Sequence, residues 1–121
     1  MKAVPRLGDI EFPPTGTKLK VFMSTATSTV MTSPGLGFCA VGESGAYIDG
    51  GDRIRLGGDL PLNTDGGQLS AGRLHGFGHV YEAVAQLRGD CGDRQVPGAE
   101  VAVVSNGGGH ISGCMLLTKG A

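Results

Sequence analysis

His75 and His79 stand four residues apart, a spacing that can set two imidazoles on one face of a helix and so invites a metal reading. No carboxylate lies between them in the zinc-protease pattern and no third ligand is evident, so no metal is expected. The pair reads as polar histidines at a helix start. Ser105 ends a β-branched run at a glycine-rich turn, where a nucleophile or acid–base group would be well placed. A hydroxyl that only satisfies the turn fits it equally well. Gly107, Gly108 and Gly109 could aim successive backbone N–H groups at an anion or oxyanion, as could the loop from Asn63 to Gly67. Asn106-Gly107 is also an ordinary hairpin turn. What raises the interest of both loops is that they flank a histidine-bearing helix start.

The cysteines add little. Cys39, Cys91 and Cys114 are odd in number and widely spaced, giving neither a disulfide framework nor a CxxC metal pair. Cys91 sits in a polar loop with Arg94 as its basic neighbour and reads as incidental. Cys39 and Cys114 lie in apolar stretches and read as small hydrophobes.

The elements that must position these residues follow from local pattern. Phe77, Val80, Tyr81, Val84 and Leu87 recur at helical spacing, predicting a helix over 77–88 with that stripe inward and Gly89 as its stop. Val101 to Val104 is a β-branched run expected to be a strand buried on both faces. Ser105 to His110 then reads as a turn, and Ile111 to Leu117 as a second, antiparallel strand. Upstream, Ala46–Ile48 and Arg53–Leu56 flank Asp49-Gly50-Gly51-Asp52, which predicts a β-hairpin. Leu60-Pro61-Leu62 is a short extended segment. The order is hairpin, loop, helix, strand, strand, an α/β or α+β arrangement.

The 121 residues amount to one small domain or part of a larger one. Twenty-three of them are glycine, without the Gly-X-Y period of collagen. A net charge of −1 excludes nucleic-acid binding driven by a basic field, and no apolar run is long enough to span a membrane. No signal peptide is evident, so a cytoplasmic location is expected. Composition is uneven. Only Gly8 and Gly16 precede Pro34, and residues 24–33 hold seven Ser or Thr. Residues 1–34 therefore read as an atypical, poorly ordered or non-native leader in which KLKVF at 18–22 makes a short strand at best, and 35–121 as the domain.

Within 35–119, "GLGFCAVGESGAYIDGGDRIRLGG", "LPLNTDGGQLSAGRLHGFGHVYEAVAQLRGD" and "RQVPGAEVAVVSNGGGHISGCMLL" follow one another. In that order they resemble the C-terminal part of a thiolase-superfamily protein, most like the sterol-carrier, lipid-transfer-type thiolase-like branch. The resemblance implies the C-terminal half of a layered αβαβα fold, a mixed sheet with helices. In that family a cysteine nucleophile comes from the N-terminal half. The C-terminal half supplies a histidine from a Gly-His-Pro loop and a second cysteine just before a triple-glycine turn.

Two positions depart from the family pattern. Counted without gaps from Gly66-Gly67, the Gly-His-Pro histidine falls on Arg73, and the nearest imidazole is His75. The second cysteine falls on Ser105, whose hydroxyl is a poor α-proton base. Nothing in the chain matches the nucleophile half, which suggests a truncated or frame-disrupted gene product. The resemblance thus implies a fragment that acts on acyl-CoA thioesters by acyl transfer or retro-aldol carbon–carbon cleavage, and is inactive alone. His75 and Ser105 are the expected catalytic residues. Asn63, Arg73, Asn106, Gly107, Gly108, Gly109 and His110 are expected at the substrate. CoA thioester enters as substrate, with no bound cofactor. An OB-fold partner protein and a homodimer in the full-length form are further implications. Two alternatives stand beside this: a non-catalytic docking module for an OB-fold partner or lipid, and a remnant without function.

Overall fold

The computed structural model describes residues 21–24, 38–68, 72, 74–108 and 111–120. Three strands form one mixed sheet: β1 (Val21–Ser24), β2 (Val101–Gly108) and β3 (Ile111–Thr118), with β2 in the centre. β1 runs parallel to β2, with Val21 opposite Ala102, and β3 runs antiparallel, with Val101 opposite Thr118. Among the described residues, two α-helices accompany the sheet, the short α1 (Ser44–Ile48) and the longer α2 (Phe77–Arg88). β1 arises inside the stretch that composition marks as atypical, at the VF of KLKVF.

The run Val101–Val104 is buried on both faces, as its β-branched composition predicts. Ala102 and Val104 face α2 and pack with Ala83, Leu87, Val96 and Ala99. Val101 and Val103 face the other way and pack with Leu60, Phe38 and Leu62. Period-two alternation sends successive side chains into two separate clusters, so this strand carries both.

Helix α2 has the predicted limits. Gly89, at φ 84°, donates its N–H to the Ala85 and Gln86 carbonyls, and Asp90 also returns to Ala85. This left-handed ending satisfies carbonyls the helix leaves open. The face it buries differs in part from expectation: Leu87 and Val80 of the stripe pack into the core, but its other end does not. Phe77 and Tyr81 are 77% and 74% exposed, whereas His79, Glu82, Ala83, Ala85, Gln86 and Leu87 are buried. The sheet covers the side of Ala83 and Leu87. Loops at 63–68 and 91–96 cover the side of His79, Glu82 and Gln86, and there polar partners take the place of apolar ones.

Two further expectations are corrected. The hairpin at 46–56 is absent: Ala46–Ile48 ends helix α1, and Gly50 and Gly51, at φ 69° and 75°, turn the chain into successive short-range bonds. The Arg53–Ile54 segment instead receives the N–H groups of Leu60 and Leu62, each at 2.9 Å. Each predicted arm is too short to bury an apolar face, and the Leu60–Leu62 segment, anchored in the core by Leu60, supplies a better partner. The predicted turn at Ser105–His110 also shrinks. Ser105, Asn106, Gly107 and Gly108 stay in the ladder, opposite Cys114, Gly113, Ser112 and Ile111. Gly107 and Gly108 therefore stand in a paired strand, not in a loop of converging N–H groups.

Candidate functional site

The Asn63–Gly67 loop is a tight turn held by its own sequence. Gly66 N–H bonds the Asn63 carbonyl and Gly67 N–H bonds the Asp65 carboxylate, both at 2.8 Å. Asn63 takes φ 47°, and its side chain lies against the bare Cα of Gly67. Asn tolerates the left-handed region better than most residues. The Thr64 hydroxyl donates to Glu82 Oε1 at 2.7 Å and ties the loop to α2.

Glu82 is 1% exposed, and its charge is matched on several sides. Arg94 donates through Nε to Oε1 and through Nη2 to Oε2, each at 3.0 Å, and Gln86 Nε2 lies 3.2 Å from Oε1. Gln86 Nε2 also reaches the Thr64 hydroxyl at 3.0 Å and the Arg94 carbonyl at 2.8 Å, while its oxygen accepts Val96 N–H at 2.8 Å. Burial pushes the Glu82 carboxyl up, but the hydrogen bonds from Arg94, Thr64 and Gln86, with the Arg94 charge, hold it below its ordinary value. Cys91 is buried as well, its Sγ 3.6 Å from Glu82 Oε1, and burial beside that carboxylate pushes the thiol up. It is a filler of this cluster, not an incidental loop residue.

Sequence reasoning missed this network. The available signal was the polar set His79, Glu82 and Gln86 at helical spacing, which on the surface would mark a solvent-facing side.

The two histidines part company. His75 precedes α2, exposed, with a left-handed backbone at φ 50°, while His79 is inside the helix and 2% exposed. His79 Nε2 lies 3.3 Å from Gln68 Nε2, and its Nδ1 has no hydrogen-bond partner among the described residues. Burial pushes its pKa down against the opposing pull of Asp65. No cluster of three metal-ligating side chains occurs among the described residues.

His75 meets Asn106, 31 positions away in the chain, whose Nδ2 donates to the His75 carbonyl at 3.1 Å. Both residues border a cavity of about 320 Å³ with Gly76, Phe77, Val80, Val104, Gly113 and Met115. Its lining is largely apolar, with one imidazole, one amide and the free Cys114 at its edge. Ser105 does not border it. Ser105 is buried and pairs with Cys114, one strand position away from Asn106. Cys39 is buried, as expected of a small hydrophobe, with its Sγ 3.8 Å from the Ser44 hydroxyl. Cys114 is exposed, contrary to its apolar setting in sequence. Arg73, Gly109 and His110 lie outside the described residues.

Among the described residues, a mixed sheet packs against α2, and the His75 carbonyl at the start of that helix meets Asn106 on the central strand, an arrangement in keeping with the C-terminal unit of a thiolase-like fold. The chain belongs to the family described as "Thiolase C-terminal domain-like", which matches residues 18–118 and so includes β1. It is 38% identical over 96 residues to sterol carrier protein 2 of Rattus norvegicus, covering 77% of this chain and 17% of that protein. It is 42% identical over 82 residues to 17-hydroxy-3-oxo-4-pregnene-20-carboxyl-CoA lyase of Mycobacterium tuberculosis, covering 68% of this chain and 21% of that one. Among solved structures, an "Ltp2-ChsH2(DUF35) aldolase" chain superposes with a TM-score of 0.72 at 31% identity, covering 84% of this chain and 27% of the other. The chain thus spans about a fifth of the length of these two curated relatives. Among the described residues, no helix is long and apolar enough to cross a membrane.

Proposed function

We propose that the chain is the C-terminal portion of a lipid-transfer-type thiolase-like protein acting on acyl-CoA thioesters, by retro-aldol carbon–carbon cleavage or acyl transfer. The observation that carries this reading is His75, held in a left-handed conformation at the rim of an apolar cavity by a residue from the central strand. The lyase relative and the aldolase structure support a retro-aldol reaction on a steroid CoA ester. In that reaction the β-hydroxyl loses its proton and becomes a carbonyl as the Cα–Cβ bond breaks. The bonding pair passes to an enolate of the thioester, which is then protonated at Cα. His75 acts as acid–base group or as donor to the developing enolate oxygen. Ser105 stands where the family's second cysteine would be. Asn63, Arg73, Asn106, Gly107, Gly108, Gly109 and His110 bind substrate. The reading includes no resident cofactor, a cytoplasmic location and a homodimer of the complete protein.

The test is turnover of 17-hydroxy-3-oxo-4-pregnene-20-carboxyl-CoA by the chain together with the rest of the fold, supplied in one polypeptide or as a second one. His75→Ala is expected to lower kcat by about 10²-fold or more, within the range for a lost acid–base group. Turnover that is unchanged by the substitution overturns the assignment.

A second reading is favoured by the exposure of Phe77 beside the cavity, with Leu74, Tyr81 and Met115 also exposed. In it the chain is a non-catalytic docking module whose apolar face is covered by an OB-fold partner or a lipid. The two-name aldolase structure is in keeping with a partner protein. Phe77→Ser with Tyr81→Ser is then expected to abolish partner or lipid binding while His75→Ala leaves it intact.

A further inference from the structure

We infer that Asn106 is the positioning residue for His75, acting through the His75 carbonyl and requiring a glycine at position 76. The assignment rests on His75 being the acid–base group proposed above. It starts from a polar residue in an unexpected setting. Asn106 follows Ala102 and Val104 at two-residue intervals on β2, so it shares the face that those two turn toward α2. Asn is a poor strand former, and an apolar residue would continue that face. Its Nδ2 instead spans the gap to the helix start and bonds the His75 carbonyl at 3.1 Å.

The turn that enters the helix is closed by its own backbone, Phe77 N–H to the Leu74 carbonyl at 3.0 Å, and the Asn106 bond fixes the His75 carbonyl within that turn. Gly76 is the N-cap residue, and no side chain there bonds the first turn. His75 holds φ 50° and Gly76 holds φ 91°, two consecutive left-handed residues, the first of which carries a side chain that disfavours the conformation. A Cβ at Gly76 would overlap the Asn106 amide nitrogen and lie 2.8 Å from its Cγ. Glycine is therefore required there twice, by backbone conformation and by the close approach of Asn106. Opposite Asn106 stands Gly113, where an added Cβ would meet nothing within 4 Å. The missing side chain leaves the cavity open up to the His75–Asn106 pair.

The experiment compares wild type with Asn106→Asp, which keeps the shape and loses the donor, and with Asn106→Ala. Two measurements are made. In the isotopically labelled chain, the His75 backbone carbon shifts report its left-handed conformation, and the α2 amide signals report whether the helix is intact. In the turnover assay, each variant is measured with and without His75→Ala. The expected result is that both Asn106 variants move the His75 shifts toward values averaged over conformations while the α2 signals beyond the first turn stay in place. Both lower kcat by about 10²-fold, the scale of a misplaced catalytic group, with no further loss when His75→Ala is added.

His75 shifts that are unchanged in both Asn106 variants overturn the positioning role, whatever the activity. Shifts that move while His75→Ala leaves turnover intact uphold the contact and sink the catalytic reading of His75 instead. Additive losses of kcat in the double variants also count against the proposal, since they give Asn106 an effect on the chemical step independent of His75, whereas its contact with substrate registers in KM.

Discussion

Arg94 grips Glu82 through two parallel contacts, Nε to Oε1 and Nη2 to Oε2, each at 3.0 Å. The carboxylate is almost wholly buried, while the arginine side chain is about half exposed. Through it the Asn63–Gly67 loop, helix α2 and the 91–96 loop share one acceptor, because Thr64, Gln86 and Cys91 also meet Oε1. A fork-shaped donor suits this arrangement, since it saturates both carboxylate oxygens in fixed geometry.

Removing the acceptor strands its donors inside the protein. Glu82→Ala is expected to lower unfolding stability by ~2–3 kcal/mol, because buried donors lose their partner while Arg94 can still turn to water. Urea denaturation checks this, and a loss under about 0.5 kcal/mol, the size of an ordinary surface substitution, would show that the network contributes nothing beyond neutral packing. The same group sets an acid limit. Its folded pKa is depressed, so its contribution is complete above the unfolded value of about 4.3 and is lost as pH falls through the folded value. Wild type should lose stability below about pH 4.5, and Glu82→Gln should lose less over the same interval.

His79 imposes a second, milder slope. Burial keeps it neutral in the folded chain, whereas the unfolded chain takes up a proton as pH falls below about 6.5. The unfolded state therefore binds more protons, and stability should decline from about pH 7.5 toward about pH 5.5. His79→Leu removes both the titration and an unpartnered nitrogen. It is expected to flatten that slope while staying within about 1 kcal/mol of wild type at neutral pH. Thermal melts across the interval decide it; an equal slope in both proteins would assign the effect to another group.

The helix faces make a paired prediction. Ala83 has no exposed surface and sits against Ala102 and Val104, so Ala83→Leu should cost ~1–3 kcal/mol by overfilling the core. Phe77→Ser, on the exposed side, should change the stability of this chain by less than about 0.5 kcal/mol. The reverse ranking would mean that the stripe suggested by periodicity is the true inner face.

Gly89 isolates a backbone effect. An added Cβ there meets nothing within 4 Å, so Gly89→Ala alters only the cost of the left-handed conformation at φ 84°. A loss of ~1 kcal/mol is expected, with Gly89→Asn less affected because Asn tolerates that region. Equal losses for the two variants would place the effect elsewhere than in φ.

Some of this protein is readable residue by residue. The limits of α2, its glycine stop and the two-faced burial of Val101–Val104 follow from patterns that span a few residues, because helix period, left-handed endings and β-branched runs are local constraints. The ordered motifs from the Asn63 loop to the glycines after Ser105 likewise marked the thiolase-like family. The inner face of α2 was not readable in this way. Periodicity offered an apolar stripe containing Phe77 and Tyr81, but the loops that arrive on the other side bring Thr64, Arg94 and the Val96 N–H, and these bury a polar face beside the apolar one of Ala83 and Leu87. The hairpin at 46–56 failed for the same kind of reason, since Leu60–Leu62 came to occupy the place of a neighbouring strand. The site follows suit. His75 and Gly76 were visible as types, but their hold on Asn106 spans 31 residues and depends on strand register. Local sequence sets which conformations a segment can adopt; which side is covered, and by whom, is decided only when distant segments meet and desolvate each other.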